Sequence, residues 1–233
     1  MNDLSIKVKS KIDEYLEFDS DILFEKCDFL EIFGGSIRDS IAGMKIHDVD
    51  ILALSKSAKI CAEILESKGY HFIELLNGKE LQEMYKDIHC IFEPWTFLKQ
   101  TSPDDDLKMV QIIRPSIDVK NDKDKIKLTN PDNSFNFLNE SGFFRLMKEV
   151  DLSCCGVSYN GKIIKENCQD AIKHCQWGYY LINKEARMYN ESRILMRTSK
   201  LDGRGWTNIE NLSNEQKINF DRNQKLEYIL NDN

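Results

Sequence analysis

The sequence predicts an α+β domain built on a mixed sheet of about five strands. Apolar residues recur at helical spacing in residues 2–17 and again in residues 55–70. Short apolar runs of strand length occupy residues 28–34 and 48–54, and residues 87–93 alternate between apolar and polar side chains. Helical and strand patterns thus follow one another along the chain, as they do when helices cover a sheet.

The remaining elements follow from the same patterns. The first helix carries Leu4, Val8, Ile12 and Leu16 on one face, and the second ends at Gly69. A further strand is expected over residues 108–114, before Pro115. Residues 116–142 are polar and predict an exposed loop. Asn160 and Gly161 lie between two apolar runs and predict a hairpin turn.

Composition limits the class of protein. Of the 233 residues, 41% are hydrophobic and 30% are charged, which is typical of a soluble globular chain. No apolar run approaches the roughly 18 residues of a membrane span, and the N-terminus is too polar for a signal peptide. We therefore expect a cytoplasmic protein without a membrane partner. The net charge of −7 means that any contact with nucleic acid must come from a local basic patch.

The seven cysteines include no pair at the spacing of a zinc finger, and their odd number argues against a disulfide framework. Cys168, Cys175 and His174 could be zinc ligands. Isolated cysteines are more often small buried hydrophobic residues, and we favour that interpretation.

The stretch from residue 31 to residue 54 carries the chemistry. Gly34 and Gly35 allow a sharp turn and a close approach of backbone N–H groups to an anion, and a helix that begins at Ser36 would direct its N-terminus at a phosphate. Asp48 and Asp50 would share one face of a strand, with Val49 and Ile51 turned into the core. Two such carboxylates favour a divalent cation. A phosphate site beside a metal site is the arrangement of nucleotidyl transfer.

The segment GGSIRDSIAGMKIHDVDI resembles the signature of the head domain of class II CCA-adding enzymes and bacterial poly(A) polymerases, within the polymerase-β nucleotidyltransferase superfamily. The resemblance implies a polymerase-β-like head fold and a two-metal magnesium site held by Asp48 and Asp50. It also implies a nucleoside triphosphate, ATP or CTP, bound by residues of the turn and the helix: Gly34, Gly35, Ser36 and Arg38. The alternative is an ordinary strand–turn–helix–strand with both aspartates on a solvated face.

Two later segments resemble further motifs of the family in part. Asp151 matches the aspartate of the second motif, while Glu149 and Val150 replace its arginines and Cys155 its asparagine. The resemblance makes Asp151 a candidate catalytic carboxylate, for metal or ribose, unless it only caps a helix or a strand edge. Glu93 is the other candidate for a third acid. His47 is expected to be a loop histidine, with phosphate contact as the alternative.

The base-selecting motif of the family resembles residues 189–193, where its Glu and Asp are replaced by Tyr189 and Asn190. With Lys200, the arginines of this region form one basic stripe at helical spacing. We expect Asn190, Arg193 and Arg197 to face the base or the phosphates; a solvated charged helix is the alternative.

These expectations assign residues 1–170 to a nucleotidyltransferase head and residues 171–233 to a small helical, neck-like segment. The resemblance implies magnesium-dependent transfer of a nucleoside monophosphate to an RNA hydroxyl, with a tRNA 3′ end as the first candidate. Two alternatives stay open. The chain could modify a protein or a small molecule, as toxin-type nucleotidyltransferases do, or it could be a nucleotide- or RNA-binding module without catalysis.

Overall fold

The computed structural model describes residues 2–28, 30–53, 55–73, 92–103, 105–115, 150–186 and 191–219. Within these ranges seven strands form one mixed sheet, and two short strands pair separately. The predicted α+β class and mixed sheet are confirmed. The sheet exceeds the predicted five strands because three of its strands have only three residues each and leave little pattern in the sequence.

The helices and strands follow in this order: α1 (Asp3–Leu16), α2 (Asp21–Lys26), β1 (Leu30–Phe33), α3 (Gly35–Ala42), β2 (Asp48–Ala53), α4 (Ser55–Ser67), β3 (His71–Ile73), β4 (Phe92–Lys99), β5 (Lys108–Pro115), a 3₁₀ turn (Ser153–Cys155), β6 (Val157–Tyr159), β7 (Ile164–Glu166), α5 (Ala171–Trp177), β8 (Tyr179–Tyr180), α6 (Glu191–Asp202), β9 (Thr207–Asn208) and a second 3₁₀ turn (Ile209–Asn211).

The strand order of the large sheet is β3-β4-β5-β2-β1-β6-β7. β2 and β5 are parallel, and the other neighbouring strands are antiparallel. Because β1 runs opposite to β2 and β5, the end of β1 lies at the same edge as the beginnings of β2 and β5. The glycine turn after β1 and the aspartates that open β2 therefore meet at one edge of the sheet.

Helix α1 forms where the sequence predicts it. The side chain of Asn2 accepts a hydrogen bond from the Ser5 N–H at 2.9 Å and caps the first turn. Val8, Ile12 and Leu16 are fully buried in the main hydrophobic core. Burial of each such side chain contributes about 1.5–3 kcal/mol.

Strand β2 has the alternation that the sequence predicts. Val49 and Ile51 are fully buried in the main core, whereas Asp48 and Asp50 are half-buried on the opposite face. Leu52 shares the aspartate face and packs there with neighbouring apolar side chains. The two carboxylates therefore lie on one surface of a well-anchored strand.

The fourth strand differs from its prediction. Residues 87–91 of the expected strand lie outside the described residues, and β4 continues through Pro94 to Lys99. Pro94 is paired with Ile113 of β5, whereas β3 pairs with β4 only over Thr96–Leu98 and leaves Pro94 beyond its end. β5 agrees with its predicted range, and the predicted loop over residues 116–142 lies outside the described residues.

The hairpin predicted at Asn160 and Gly161 is confirmed. β6 and β7 are antiparallel, and Gly161 adopts a φ of +87°, which favours glycine. The Asn160 side chain accepts hydrogen bonds from the N–H groups of Lys162 and Ile163 at 3.1 and 3.0 Å, which closes the turn.

The residues after position 170 pack on the same core as the sheet. Ile194, Leu201 and Trp206 belong to the main hydrophobic cluster. β8 and β9 form a short parallel pair beside α6. None of the described helices has the length and apolar character needed to cross a membrane. The division of the chain at residue 170 stays a prediction.

Candidate functional site

The site begins at the glycine turn between β1 and α3. Gly34 has a φ of +70°, a conformation that side chains disfavour, and its N–H donates to the Val157 carbonyl of β6 at 3.0 Å. α3 begins at Gly35, so its first N–H groups have no partner within the helix. The Ser36 hydroxyl donates to the Phe33 carbonyl at 3.4 Å and is buried. Ser36 therefore offers its backbone N–H, rather than its hydroxyl, to a ligand at this turn.

Both aspartates of β2 point toward the glycine turn. A Cβ atom placed on Gly35 would lie 3.7 Å from Asp48 Oδ1, and one placed on Gly34 would lie 4.0 Å from Asp50 Oδ2. The structure thus brings together the two features that the sequence places apart, an anion-binding turn and a pair of carboxylates. The space beside Gly35 is open because glycine has no side chain.

The environment of Asp50 disfavours its charged form. Burial raises the pKa of Asp50 from 3.8 to about 7, and the neighbouring charges of Asp48 and Cys155 raise it further, against the opposing effect of Arg197 and Lys200. Two neighbouring carboxylates that repel each other in this way would be stabilised by a divalent cation, which would neutralise both groups. The donor set therefore fits magnesium, which prefers oxygen ligands.

Arg38 lies at the other side of the glycine turn and is only 7% exposed. Its Nε donates to Asp39 Oδ1 at 2.7 Å, and its Nη1 donates to Cys155 Sγ at 3.5 Å. Its Nη2 lies 3.7 Å from the position of a Cβ atom on Gly35. The turn at Gly35 is therefore flanked by a cation on one side and by Asp48 on the other, as a metal-bound phosphate would require.

Asp151 lies among the arginines of α6. It is fully buried, forms an ion pair with Arg197, and has Arg193 Nε at 4.0 Å from its Oδ2. Asp151 Oδ2 accepts no hydrogen bond from the described part of the chain. Arg193 and Arg197 thus approach Asp151, and their contact with the base or the phosphates stays a prediction; Asn190 lies outside the described residues.

The identity of the third carboxylate stays a prediction. In the described ranges no three His, Cys, Asp or Glu side chains are arranged to hold a metal ion, and the side chain of Glu93 is not among those described. The same finding gives no support to a zinc site at Cys168, Cys175 and His174. His174 Nδ1 instead lies 2.8 Å from the Ser153 hydroxyl, and Cys175 donates to the Cys154 carbonyl at 3.2 Å.

Cys155 connects the two arginine-bearing elements. Arg197 Nη2 donates to Cys155 Sγ at 3.2 Å, so that guanidinium groups from α3 and α6 converge on one sulfur. A hydrogen bond from Cys154, followed by the charges of Arg197 and Arg38, holds the pKa of the Cys155 thiol well below its usual range despite burial. The sequence shows Cys155 only as a departure from the family pattern, because its partners are distant along the chain.

His47 precedes Asp48 at the opening of β2. Burial lowers the pKa of His47, and the nearby positive charge of Arg204 lowers it further. Its carbonyl accepts a hydrogen bond from the Tyr15 hydroxyl at 2.8 Å. Beside it opens a cleft of about 470 Å³, whose charged lining includes Lys11, Glu14, Lys45, Asp106 and Lys108.

Comparison with solved structures identifies the fold. A CCA-adding enzyme in complex with ATP superposes with a TM-score of 0.52 over 88% of this chain, at 12% sequence identity. A CCA-adding enzyme in complex with CTP superposes with a TM-score of 0.51 over 84% of this chain, also at 12% identity. The fold is therefore similar to that of these CCA-adding enzymes. The chain spans about 40% of the length of each of these two structures.

No protein-family model matches the sequence, and no curated protein matches it. The likeness is thus one of fold, and the fold agrees with the resemblance noted in the sequence. A shared fold does not define a reaction, which depends on the residues of the site.

Proposed function

We propose that this nucleotidyltransferase head transfers a nucleoside monophosphate from ATP or CTP to an RNA hydroxyl, with a tRNA 3′ end as the first acceptor to test. The observation that carries the proposal is the convergence of Asp48 and Asp50 on the glycine turn, opposite Arg38. The ligands of the two superposed enzymes, ATP and CTP, support a nucleoside triphosphate at this site.

Asp48 and Asp50 would hold magnesium, which supplies charge neutralisation and activation of the attacking oxygen when bound. The backbone N–H groups at the start of α3 would bind the phosphate oxygens, together with Nη2 of Arg38. The acceptor hydroxyl would lose its proton to solvent as its oxygen forms a bond to the α-phosphorus, while the bond from that phosphorus to the bridging oxygen breaks and pyrophosphate leaves. Arg38 then stabilises the charge that develops on the departing phosphates.

Arg193 and Arg197 would bind the sugar or base side of the nucleotide from α6. Asp151, which is fully buried, would keep Arg197 in place through their ion pair. This assignment gives Asp151 a role in nucleotide binding that does not require it to touch the metal.

The cleft beside His47 provides room for the acceptor. It opens next to Asp48, and three lysines of its lining come from α1, the α3–β2 connection and the start of β5. Each of these lysines forms an ion pair with a neighbouring carboxylate: Lys11 with Glu14, Lys45 with Asp106 and Lys108 with Glu17. The phosphates of an RNA end would compete with these carboxylates for the lysines.

The direct test is incubation with magnesium, each labelled nucleoside triphosphate in turn, and total RNA. We expect label in RNA from the wild type, and a loss of at least about 100-fold in Asp48→Asn and in Asp50→Asn, because each removes a metal ligand. Glu66→Gln, an exposed change on α4, is the matched control and should retain activity.

The destination of the label separates the alternatives. If the label appears on protein or on a small molecule, that molecule and not RNA is the acceptor, which would support a toxin-type activity. Triphosphate binding without turnover, unchanged in the two aspartate variants, would indicate a binding module and refute the transferase assignment.

A further inference from the structure

The turn that follows α6 carries two side chains back onto α3. The Trp206 N–H donates to the Leu201 carbonyl at 3.1 Å, which reverses the chain directly after the helix. Gly205 adopts a φ of +84° within this reversal, a conformation that glycine allows. Arg204 and Trp206 are thereby directed toward the Arg38–Asp39 pair.

Trp206 packs against the face of the Arg38 guanidinium. Its ring centroid lies 5.3 Å from Arg38 Cζ, and its Nε1 donates to Met44 Sδ at 3.2 Å. The indole is only 3% exposed, so the cation–π contact is largely shielded from water. The Met44 contact restricts the rotation of the ring, and Met44 lies two residues beyond the end of α3.

Arg204 adds a second contact from the same turn. Its Nη1 lies 3.4 Å from Asp39 Oδ2, while Asp39 Oδ1 accepts from Arg38 Nε at 2.7 Å. Asp39 is thus held between two arginines, and its orientation depends on both. The pair Arg38–Asp39 is therefore tied to residues more than 160 positions away in the sequence.

These contacts leave one edge of the Arg38 guanidinium for a ligand. Nε is engaged by Asp39, Nη1 by Cys155, and one face by Trp206. Nη2 faces the space beside Gly35. A free arginine side chain samples many rotamers, and fixing it before binding reduces the entropy lost when a phosphate arrives.

We propose that Trp206, assisted by Arg204, is a positioning residue for the triphosphate. It keeps the Arg38 guanidinium turned so that Nη2 faces the glycine turn. This inference rests on the proposed function, in which Arg38 binds the triphosphate. It extends the nucleotide site to the segment after α6, which makes no direct contact with the ligand.

A double-mutant cycle on triphosphate affinity tests the inference. The probes are a fluorescent ATP analogue and inorganic tripolyphosphate, each with magnesium, measured well below the thermal midpoint of every variant. We expect Trp206→Leu to weaken binding about 3- to 20-fold and Trp206→Phe to weaken it less than about 3-fold, because phenylalanine keeps an aromatic face. In an Arg38→Ala background the same substitutions should produce no further change.

Arg204→Ala supplies a second variant, which leaves the core intact if Trp206→Leu does not fold. It should weaken binding in the wild type and not in the Arg38→Ala background. Trp95→Leu on β4 is the matched control, and its affinity for both probes should equal that of the wild type.

Equal losses in both backgrounds would mean that Trp206 acts only on stability, and the inference would be overturned. Wild-type affinity in Trp206→Leu and Arg204→Ala would overturn it as well. Failure of the wild type to bind either probe would refute the proposed function and the inference together, which distinguishes the two failures.

Discussion

Substitution of Gly35 by alanine should separate folding from nucleotide binding. Gly35 is the first residue of α3, and its φ lies outside the left-handed region, so alanine fits its backbone. The new methyl group would lie 3.7 Å from both Asp48 Oδ1 and Arg38 Nη2, which is ordinary van der Waals contact. Alanine also has a higher helix propensity than glycine by about 1 kcal/mol. We expect the variant to be as stable as the wild type or more stable by up to about 1 kcal/mol.

Binding should respond in the opposite way. The methyl group would fill the space between the carboxylate and the guanidinium, where the proposed site places a metal-bound phosphate. A phosphate oxygen and a methyl carbon cannot occupy the same position, so the triphosphate must shift by more than an atomic radius. We expect its affinity to fall by at least about 30-fold, which corresponds to about 2 kcal/mol.

The neighbouring glycine supplies the matched comparison. Gly34→Ala places a side chain at a φ of +70°, so it should destabilise the protein by about 1–3 kcal/mol. Urea denaturation measures stability, and titration with a fluorescent ATP analogue in magnesium measures binding. Unchanged triphosphate affinity in Gly35→Ala would refute the reasoning, because the turn would then not be the phosphate site.

Three further predictions concern the charged groups of the site. In metal-free protein the pKa of Asp50 is raised to about 7, so between about pH 4 and pH 7 the folded state retains a proton that the unfolded state loses. The free energy of unfolding should therefore fall as the pH rises through this range. Asp50→Asn should remove this decline and be more stable at pH 8 by about 2–4 kcal/mol, measured by denaturation in chelator; a parallel decline in both proteins would contradict it. Arg197→Met should destabilise the fold by about 2–4 kcal/mol because it leaves the Asp151 carboxylate buried without its closest partner. Adding Asp151→Asn to Arg197→Met should restore at least half of the lost free energy of unfolding, measured by urea denaturation. If it restores none, the ion pair does not contribute to stability. Wild type should show one more thiolate than Cys155→Ser by ultraviolet absorbance near pH 7, since the other described cysteines with resolved shifts all have raised pKa values; equal absorbance would show that Cys155 is protonated.

Local patterns in the sequence predict those parts of the site whose residues are close together along the chain. Alternation along β2 fixes the common face of Asp48 and Asp50 once Val49 and Ile51 are recognised as core residues. The two glycines and the following helix likewise lie within a few residues of one another. Such features depend on backbone periodicity and turn chemistry, which a single sequence carries.

The remaining contacts join residues far apart in the chain. Arg38 meets Cys155 across 117 positions, and Arg204 meets Asp39 across 165. No periodicity links such pairs, so the sequence identifies Cys155 only as a mismatch and gives no signal for Trp206. Asp151 shows the same limit, because its pairing with Arg197 depends on how α6 packs rather than on the motif around it.

The attachment of the α6 turn to α3 has a practical consequence for shortened versions of the protein. A fragment ending at residue 170 would keep the glycines and both aspartates of β2, yet it would lack Arg197 and Trp206 and would expose the apolar surface that Ile194 and Leu201 cover. We expect such a fragment to aggregate and to hold Arg38 in no fixed orientation. A shortened version that is meant to keep the candidate site intact should therefore retain the residues up to Asn208.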